Sequence, residues 1–442
     1  MKKLKLFIFI CCIGEGLAAQ ELLPFENNGK CGFVDKSGKV VVKAKYHDIA
    51  DIGNGLQKYS ISNGINKYGL LYKYNKVLIE PKYAYIGEFT YGLARVNRKD
   101  TSGQSRRESW GLIDTTGKEI IPPEYNLILD FKEELALVKK NANKCGFIDK
   151  KGREVIAQTF DGAVSFSEGL AVVWIDHKFG FIDKSGKVII PLQYNDVTRF
   201  NEGLAAVRMD TKYGFIDKKG KLIIPYKYDE LKDFSKGICQ VKIDGKSGCI
   251  DRKGKEVVPV KYSWIQRYGN ENLIAGSMDA DGYSGTWCLI DVTGKELTSF
   301  KYNKVGLWFS EGLLTVYKEG RGGFIDVKGK EICPLKYDKV CDFSDGLAAV
   351  ELNRKLGFID KNGTEVIPIK YDKADTRVCV VFSEGLAAVN LNGKYGFIDK
   401  TGKEIIPFKY KSAQNFKNGI AFIELGDSKF YVDKTGREIR PK

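Results

Sequence analysis

One unit of about 34 residues recurs roughly twelve times along the 442-residue chain, and this recurrence limits the fold more than any other property of the sequence. The copies register on the glycine of a Tyr-Gly-Phe-Ile-Asp stretch: Gly32, Gly69, Gly111, Gly146, Gly180, Gly214, Gly248, Gly323, Gly357 and Gly396, with Cys288 and Phe430 in the same slot. Most intervals are 34 or 35 residues, and the longest are 42, 40 and 39. A unit this short cannot bury a core alone, so neighbouring copies must stack. The copies leave no room for a separate domain, and residues 20–442 read as a single array.

Within the unit, the slot three after the glycine is Asp in all copies but one (Asp35, Asp114, Asp149, Asp183 and Asp217 among them), Tyr72 being the exception. A second glycine follows three later, replaced once by Asn75. Asp at the start of a type I turn, closed by a residue with φ > 0, is a hairpin signal. The next segment resembles Lys-Glu-Ile-Ile-Pro-x-Lys-Tyr. It pairs an outward Glu (Glu119, Glu256, Glu331, Glu404) with an apolar neighbour (Ile120, Val257, Ile332, Ile405), the alternation of a strand. Its proline (Pro81, Pro122, Pro191, Pro225 and equivalents) lacks a ladder donor and places this strand at an edge. The connector Tyr194-x-x-Val197-x-x-Phe200 fits either a helical turn or a strand. Leu-Ala-Ala-Val is apolar on both faces and suits a strand covered on both sides. With 48 Gly, 25 Phe and 23 Tyr but 3 Met, the composition agrees with many short strands joined by turns.

The expected fold class is therefore all-β: tandem ~34-residue β-hairpin repeats forming an open, solenoid-like β-repeat array. The alternative is one or two β-propellers, for instance two rings of six. The unbroken 34-residue spacing through Gly180, Gly214 and Gly248 favours the open array.

The unit resembles the bacterial WG (KWG) repeat family, with its Gly-Leu-Ala-x-Val strand, its Trp/Tyr-Gly-Phe-Ile-Asp-x-x-Gly-Lys hairpin and its Ile-Pro-x-x-Tyr-Asp segment. Trp110-Gly111 is the one literal Trp-Gly. The match covers about residues 29–442. The resemblance implies a repeat protein of the kind found in bacterial exported and multidomain proteins, with no catalytic residues to carry over.

The first nineteen residues read as a signal peptide. Lys2, Lys3 and Lys5 precede the apolar run Leu6 to Ile13, and Gly16-Leu17-Ala18-Ala19 offers small residues for cleavage. The run is too short to span a bilayer, and no later run approaches spanning length, so no transmembrane segment is expected in the mature chain. Removing this leader lowers the net charge from +15 to +13. The lysines are spread evenly, without a block of like charges, which argues against a nucleic-acid surface. Export to the periplasm, the cell surface or the medium follows.

Chemistry-bearing residues are sparse. His47 and His177 are the only histidines, too few for His-based catalysis or metal binding. No Cys-x-x-Cys, phosphate loop or Ser/His/Asp set stands out. Met278-Asp-Ala-Asp-Gly282 looks like a calcium loop but would put Cys288 at the bidentate Glu position. Neither a metal, a cofactor nor a small-molecule ligand is indicated. Cys239 and Cys249 flank the Asp244-Gly245 turn and are a candidate disulfide across a hairpin. The expected function is a non-enzymatic exported protein presenting an extended surface to another macromolecule, an unidentified protein or envelope component. The alternative is a propeller enzyme or lectin with a small-molecule or glycan site.

Insertions in repeat arrays map to surface loops, often on the binding face. The first, Arg98 to Ser109, carries Arg106 and Arg107; the second, Asn270 to Thr286, carries Tyr283. These three are the candidate partner-binding residues, Arg and Tyr being frequent interface anchors. A third insertion lies around Asp375 to Val381.

Overall fold

In the repeat at the centre of the first half, four strands follow one another in the order of the chain: Gly162–Ala163, Leu170–Ile175, Lys178–Asp183 and Val188–Tyr194. They form one antiparallel sheet in that same order. The computed structural model describes residues 23–27, 29–35, 37–61, 67–73, 76–99, 108–140, 144–269, 272–279, 285–373 and 379–439. Throughout them the pattern repeats, and the fold is all-β, a tandem series of small open sheets. Among the described residues no helix is long and apolar enough to cross a membrane.

The turn between the third and fourth strands forms as its residues dictate. In the copy at Asp183, the Gly186 N–H donates to the Asp183 carbonyl at 3.0 Å and the Asp183 N–H to Lys187 O at 2.9 Å. The Asp183 carboxylate accepts the N–H groups of Ser185 and Lys187 at 2.9 and 3.0 Å. Gly186 has φ 88°, a region L-side chains avoid. The fourth strand is the sheet edge, where a proline costs no ladder bond.

The connector after Tyr194 is a strand: Asp196–Val197 pairs with Arg208 and Val207. Phe200 turns inward and is 1% exposed. Leu-Ala-Ala-Val is covered on both faces, and the two faces meet different neighbours. Leu170 and Val172 pack with Phe200, Ala205 and Val207 of the following repeat; Ala171 and Val173 pack with Leu135, Phe147 and Phe160 of the preceding one. Aromatic pairs join consecutive sheets, such as Phe147–Phe166 at 5.0 Å and Phe181–Phe200 at 4.8 Å between ring centroids. Packing of sheet on sheet thus supplies the core that no single unit can supply.

The registering glycine has a steric task. Phe179 pairs with Tyr194 and Phe181 with Ile190, so three residues of the fourth strand bulge opposite Gly180. A Cβ on Gly180 would lie 2.5 Å from Ile190 O and 2.8 Å from Leu192 N. Where Cys288 replaces the glycine, the regular fourth strand is lost: that sheet has three strands, and only the isolated pairs Trp287–Tyr302 and Ile290–Glu296 continue it.

The chain divides into two compact units, one through Lys227 and one from Tyr228 to Arg440, with six repeats in each. The division falls inside the unbroken 34-residue spacing, where nothing in the composition marks it. In the second unit, the sheets of residues 339–372 and 386–410 are joined by a single pairing, Asp372 with Asn390.

Candidate functional site

A recurrent set of glutamates holds neighbouring repeats together. Glu168, in the left-handed position before the Gly of Gly-Leu-Ala (φ 54°), accepts the Gly203 N–H of the next repeat at 3.0 Å and pairs with Lys218 at 3.1 Å. Glu133 repeats this with Gly169 and Lys184, Glu311 with Gly346 and Lys361, and Glu384 with Gly419 and Lys434. Burial opposes the charge on Glu168, but the Lys218 ammonium and the Gly203 N–H outweigh it and hold the carboxyl below its ordinary range. A second set joins the end of one fourth strand to the start of the next: Lys82 and Tyr83 both donate to Glu119, Lys261 and Tyr262 to Glu296, and Lys301 and Tyr302 to Glu331. These groups fasten sheets.

In the first unit a pocket of about 370 Å³ is lined by the short inner strands and loops of three consecutive sheets, with Asp51, Lys58, Tyr85, Glu88, Arg95 and Asp130 as its polar and aromatic wall. Lys58 and Arg95 occupy the slot that holds Val172, Ala206, Ala349 and Ala388 in other copies. Arg95 donates to Ile128 O at 3.1 Å, pairs with Asp130 at 3.2 Å and lies 5.8 Å over the Trp110 ring. Tyr85 meets the same indole edge-on at 5.6 Å and keeps 42% of its surface exposed. Gly87 leaves it room, since a Cβ there would come within 3.3 Å of the ring. Asp51 accepts the Gly53 N–H at 2.8 Å, and Lys58 sits 5.6 Å over Tyr68. Among the described residues Glu88, which is exposed, has no hydrogen-bond or ion-pair partner. The sequence reading passed over this site; its signal was two cations in a slot that the other copies give to uncharged residues, from Ala206 to Gln240 and Phe422.

Arg106, Arg107 and Tyr283 lie outside the described residues. The strands that carry their insertions are described: Leu93–Lys99 pairs with Glu108–Asp114, and Leu273–Ser277 with Trp287–Asp291. Both insertions therefore join the second and third strands of their repeats.

The expected Cys239–Cys249 disulfide is not formed; both are buried free thiols. Cys239 pairs with Ile250, and Gln240 with Cys249. Since alternate residues face opposite sides of a strand, the two sulfurs lie on opposite faces of one sheet. Burial pushes the Cys239 thiol up to about 12 and the Cys249 thiol to about 11. Among the described residues a disulfide instead joins Cys341 to Cys379 across 5.7 Å between Cα atoms, tying the third insertion to the residue that follows the preceding repeat's inner strand, Lys339–Val340. Among the described residues no group of three or more His, Cys, Asp or Glu is placed to hold a metal.

No curated protein matches the chain. Among solved structures, a eukaryotic initiation factor is 9% identical and covers 71% of this chain and 95% of its own, with a TM-score of 0.37. BamB from Moraxella catarrhalis is 11% identical over 63% of this chain and 91% of its own, at 0.30. An extracellular domain from B. thetaiotaomicron is 10% identical over 95% of this chain and 70% of its own, at 0.24. At scores this low none of these likenesses bears on function. The family described as WG containing repeat matches residues 32–59, 73–100, 110–145, 146–176, 179–213, 213–246, 248–275, 287–321, 323–355, 357–395 and 395–428. With most of its length accounted for in this way, the chain belongs to the WG repeat family.

Proposed function

We propose that this WG repeat protein is exported and non-enzymatic, and that it presents its array as a binding surface for another macromolecule, a protein or envelope component. The observation that carries the reading is the employment of the recurrent polar residues. Asp183 and its equivalents build turns, and Glu168 and its equivalents fasten neighbouring repeats. Recognition then falls to positions that differ between copies, chiefly the two insertions between second and third strands. Stacked repeats commonly use extended faces in this way. Export is supported by the Lys-apolar-small order of the first nineteen residues and by the Cys341–Cys379 bond, since disulfides persist in oxidising compartments.

The test is capture from the native envelope by the purified chain, with bound components identified by mass spectrometry, beside a screen of hydrolase and glycosidase substrates. A recurrent partner that competes with itself in solution supports the reading. Saturable turnover of any substrate overturns it.

A further inference from the structure

We propose that the cavity around Tyr85 in the first unit is a binding site for an uncharged saccharide. This goes beyond the macromolecule-binding reading and does not depend on it. Ligand pockets of small molecules occupy roughly 300–1,000 Å³, and this one, at about 370 Å³, suits one or two sugar rings rather than a folded partner.

Its walls carry the three kinds of group such a ligand needs. Tyr85 supplies a flat, partly exposed ring whose orientation is set by the Trp110 indole and by the space over Gly87. An aromatic ring offers an apolar face to the C–H side of a sugar together with a hydroxyl that hydrogen-bonds. Glu88 and Asp51 supply carboxylate oxygens, acceptors for hydroxyl donors; Glu88 is exposed and Asp51 lines the same wall. Arg95, held in place by Ile128 O, Asp130 and the Trp110 face, and Lys58 supply donors for hydroxyl and ring oxygens.

The charges select against anions. Three carboxylates (Asp51, Glu88, Asp130) face two cations (Lys58, Arg95) across the lining, and Arg95 is already paired with Asp130. A phosphate would meet a lining of net negative charge. A neutral polyol can use the exposed Glu88 carboxylate and the Tyr85 ring and hydroxyl without that penalty. Lys58 and Arg95 stand where the other copies carry uncharged residues, so this charged lining belongs to this pair of repeats and is not a property of the array.

The experiment is saturation-transfer NMR on the purified full chain with maltotriose, cellotriose, chitotriose and mannotriose as neutral probes, and glucose 6-phosphate and trilysine as charged ones. At least one neutral probe is expected to bind with a Kd of about 1 mM or tighter, and both charged probes more weakly. Tyr85→Ala and Glu88→Gln should each weaken that probe at least tenfold. Tyr91→Ala, which alters a more exposed tyrosine outside the cavity lining, should bind as the parent does, and all three variants should keep the parent's far-UV spectrum. Failure of all four neutral probes, tighter binding of a charged probe, or parental binding by both Tyr85→Ala and Glu88→Gln overturns the proposal.

Discussion

A methyl group on Gly180 would stand 2.5 Å from the carbonyl oxygen of Ile190. That contact explains why the glycine of the family's characteristic pair recurs: the bulged fourth strand passes directly over its Cα. Gly69, Gly111, Gly146 and Gly214 meet the equivalent carbonyl at 2.3, 2.5, 2.4 and 2.6 Å. The three atoms nearest to such a methyl on Gly180 are all backbone of that strand, so no side chain can move aside to relieve the contact.

Gly180→Ala is accordingly expected to lower stability by about 1–3 kcal/mol, the usual range for overpacking a filled site. Gly269, which has open space around a built Cβ, is the control, and Gly269→Ala should lie within about 0.5 kcal/mol of the parent. Urea unfolding monitored by fluorescence measures both. Equal midpoints for the two variants would mean that the bulge accommodates a side chain.

Acid should weaken the array through its turns. The carboxyls of Asp35, Asp183 and Asp399 are held below the ordinary range, first by the hydroxyls of Ser37, Ser185 and Thr401 and then by backbone N–H groups of the same turns. A carboxyl depressed in the folded state contributes stability that is fully present above its unfolded value, about 3.9. That contribution is lost as pH falls through the lower folded value. The urea midpoint should therefore drop between about pH 5 and pH 2.5, and the drop should shrink in Ser185→Ala. A midpoint constant over that interval would contradict the turn assignment.

The cysteines give a chemical check. In a chain lacking the first nineteen residues, six thiols are free and two form the Cys341–Cys379 bond. Denatured, unreduced protein should titrate six thiols and reduced protein eight. In the native state Cys239 and Cys288, whose thiols burial pushes up to about 12, should resist alkylation. Replacing Cys341 and Cys379 by serine should cost about 2–4 kcal/mol, the usual worth of a native bridge. Loss of a Cys239–Cys249 peptide pair on reduction would reverse the assignment.

The turn, the doubly covered strand and the edge strand were legible in the sequence because each is local: Asp183 to Gly186, Leu170 to Val173, and the proline at Pro191 declare themselves within a few residues. The connector from Tyr194 to Phe200 was ambiguous because its spacing satisfies both periods, and packing of Phe200 on Phe181 decided it. The clamps were hidden for another reason. Glu168 and Gly203 meet across 35 positions, and nothing local announces the pairing. The disulfide turned on which face each sulfur occupies, and proximity across a hairpin misled at Cys239 and Cys249. The cavity depends on Lys58 and Arg95, which read as ordinary variation until the sheets that flank them are in place.

The claim that the repeats are scaffold and that recognition lies in their departures is tested most directly by quantitative capture with trimmed loops. Shortening the insertions within residues 100–107 and 278–284 removes Arg106, Arg107 and Tyr283 while leaving the paired strands at Leu93–Lys99 and Glu108–Asp114 intact. Such insertions cost a fold little, so their removal should leave the melting temperature within a few degrees of the parent. Partner recovered from the envelope should then fall at least tenfold, about 1.4 kcal/mol of binding. A trimmed chain that melts with the parent and recovers as much partner would contradict the account.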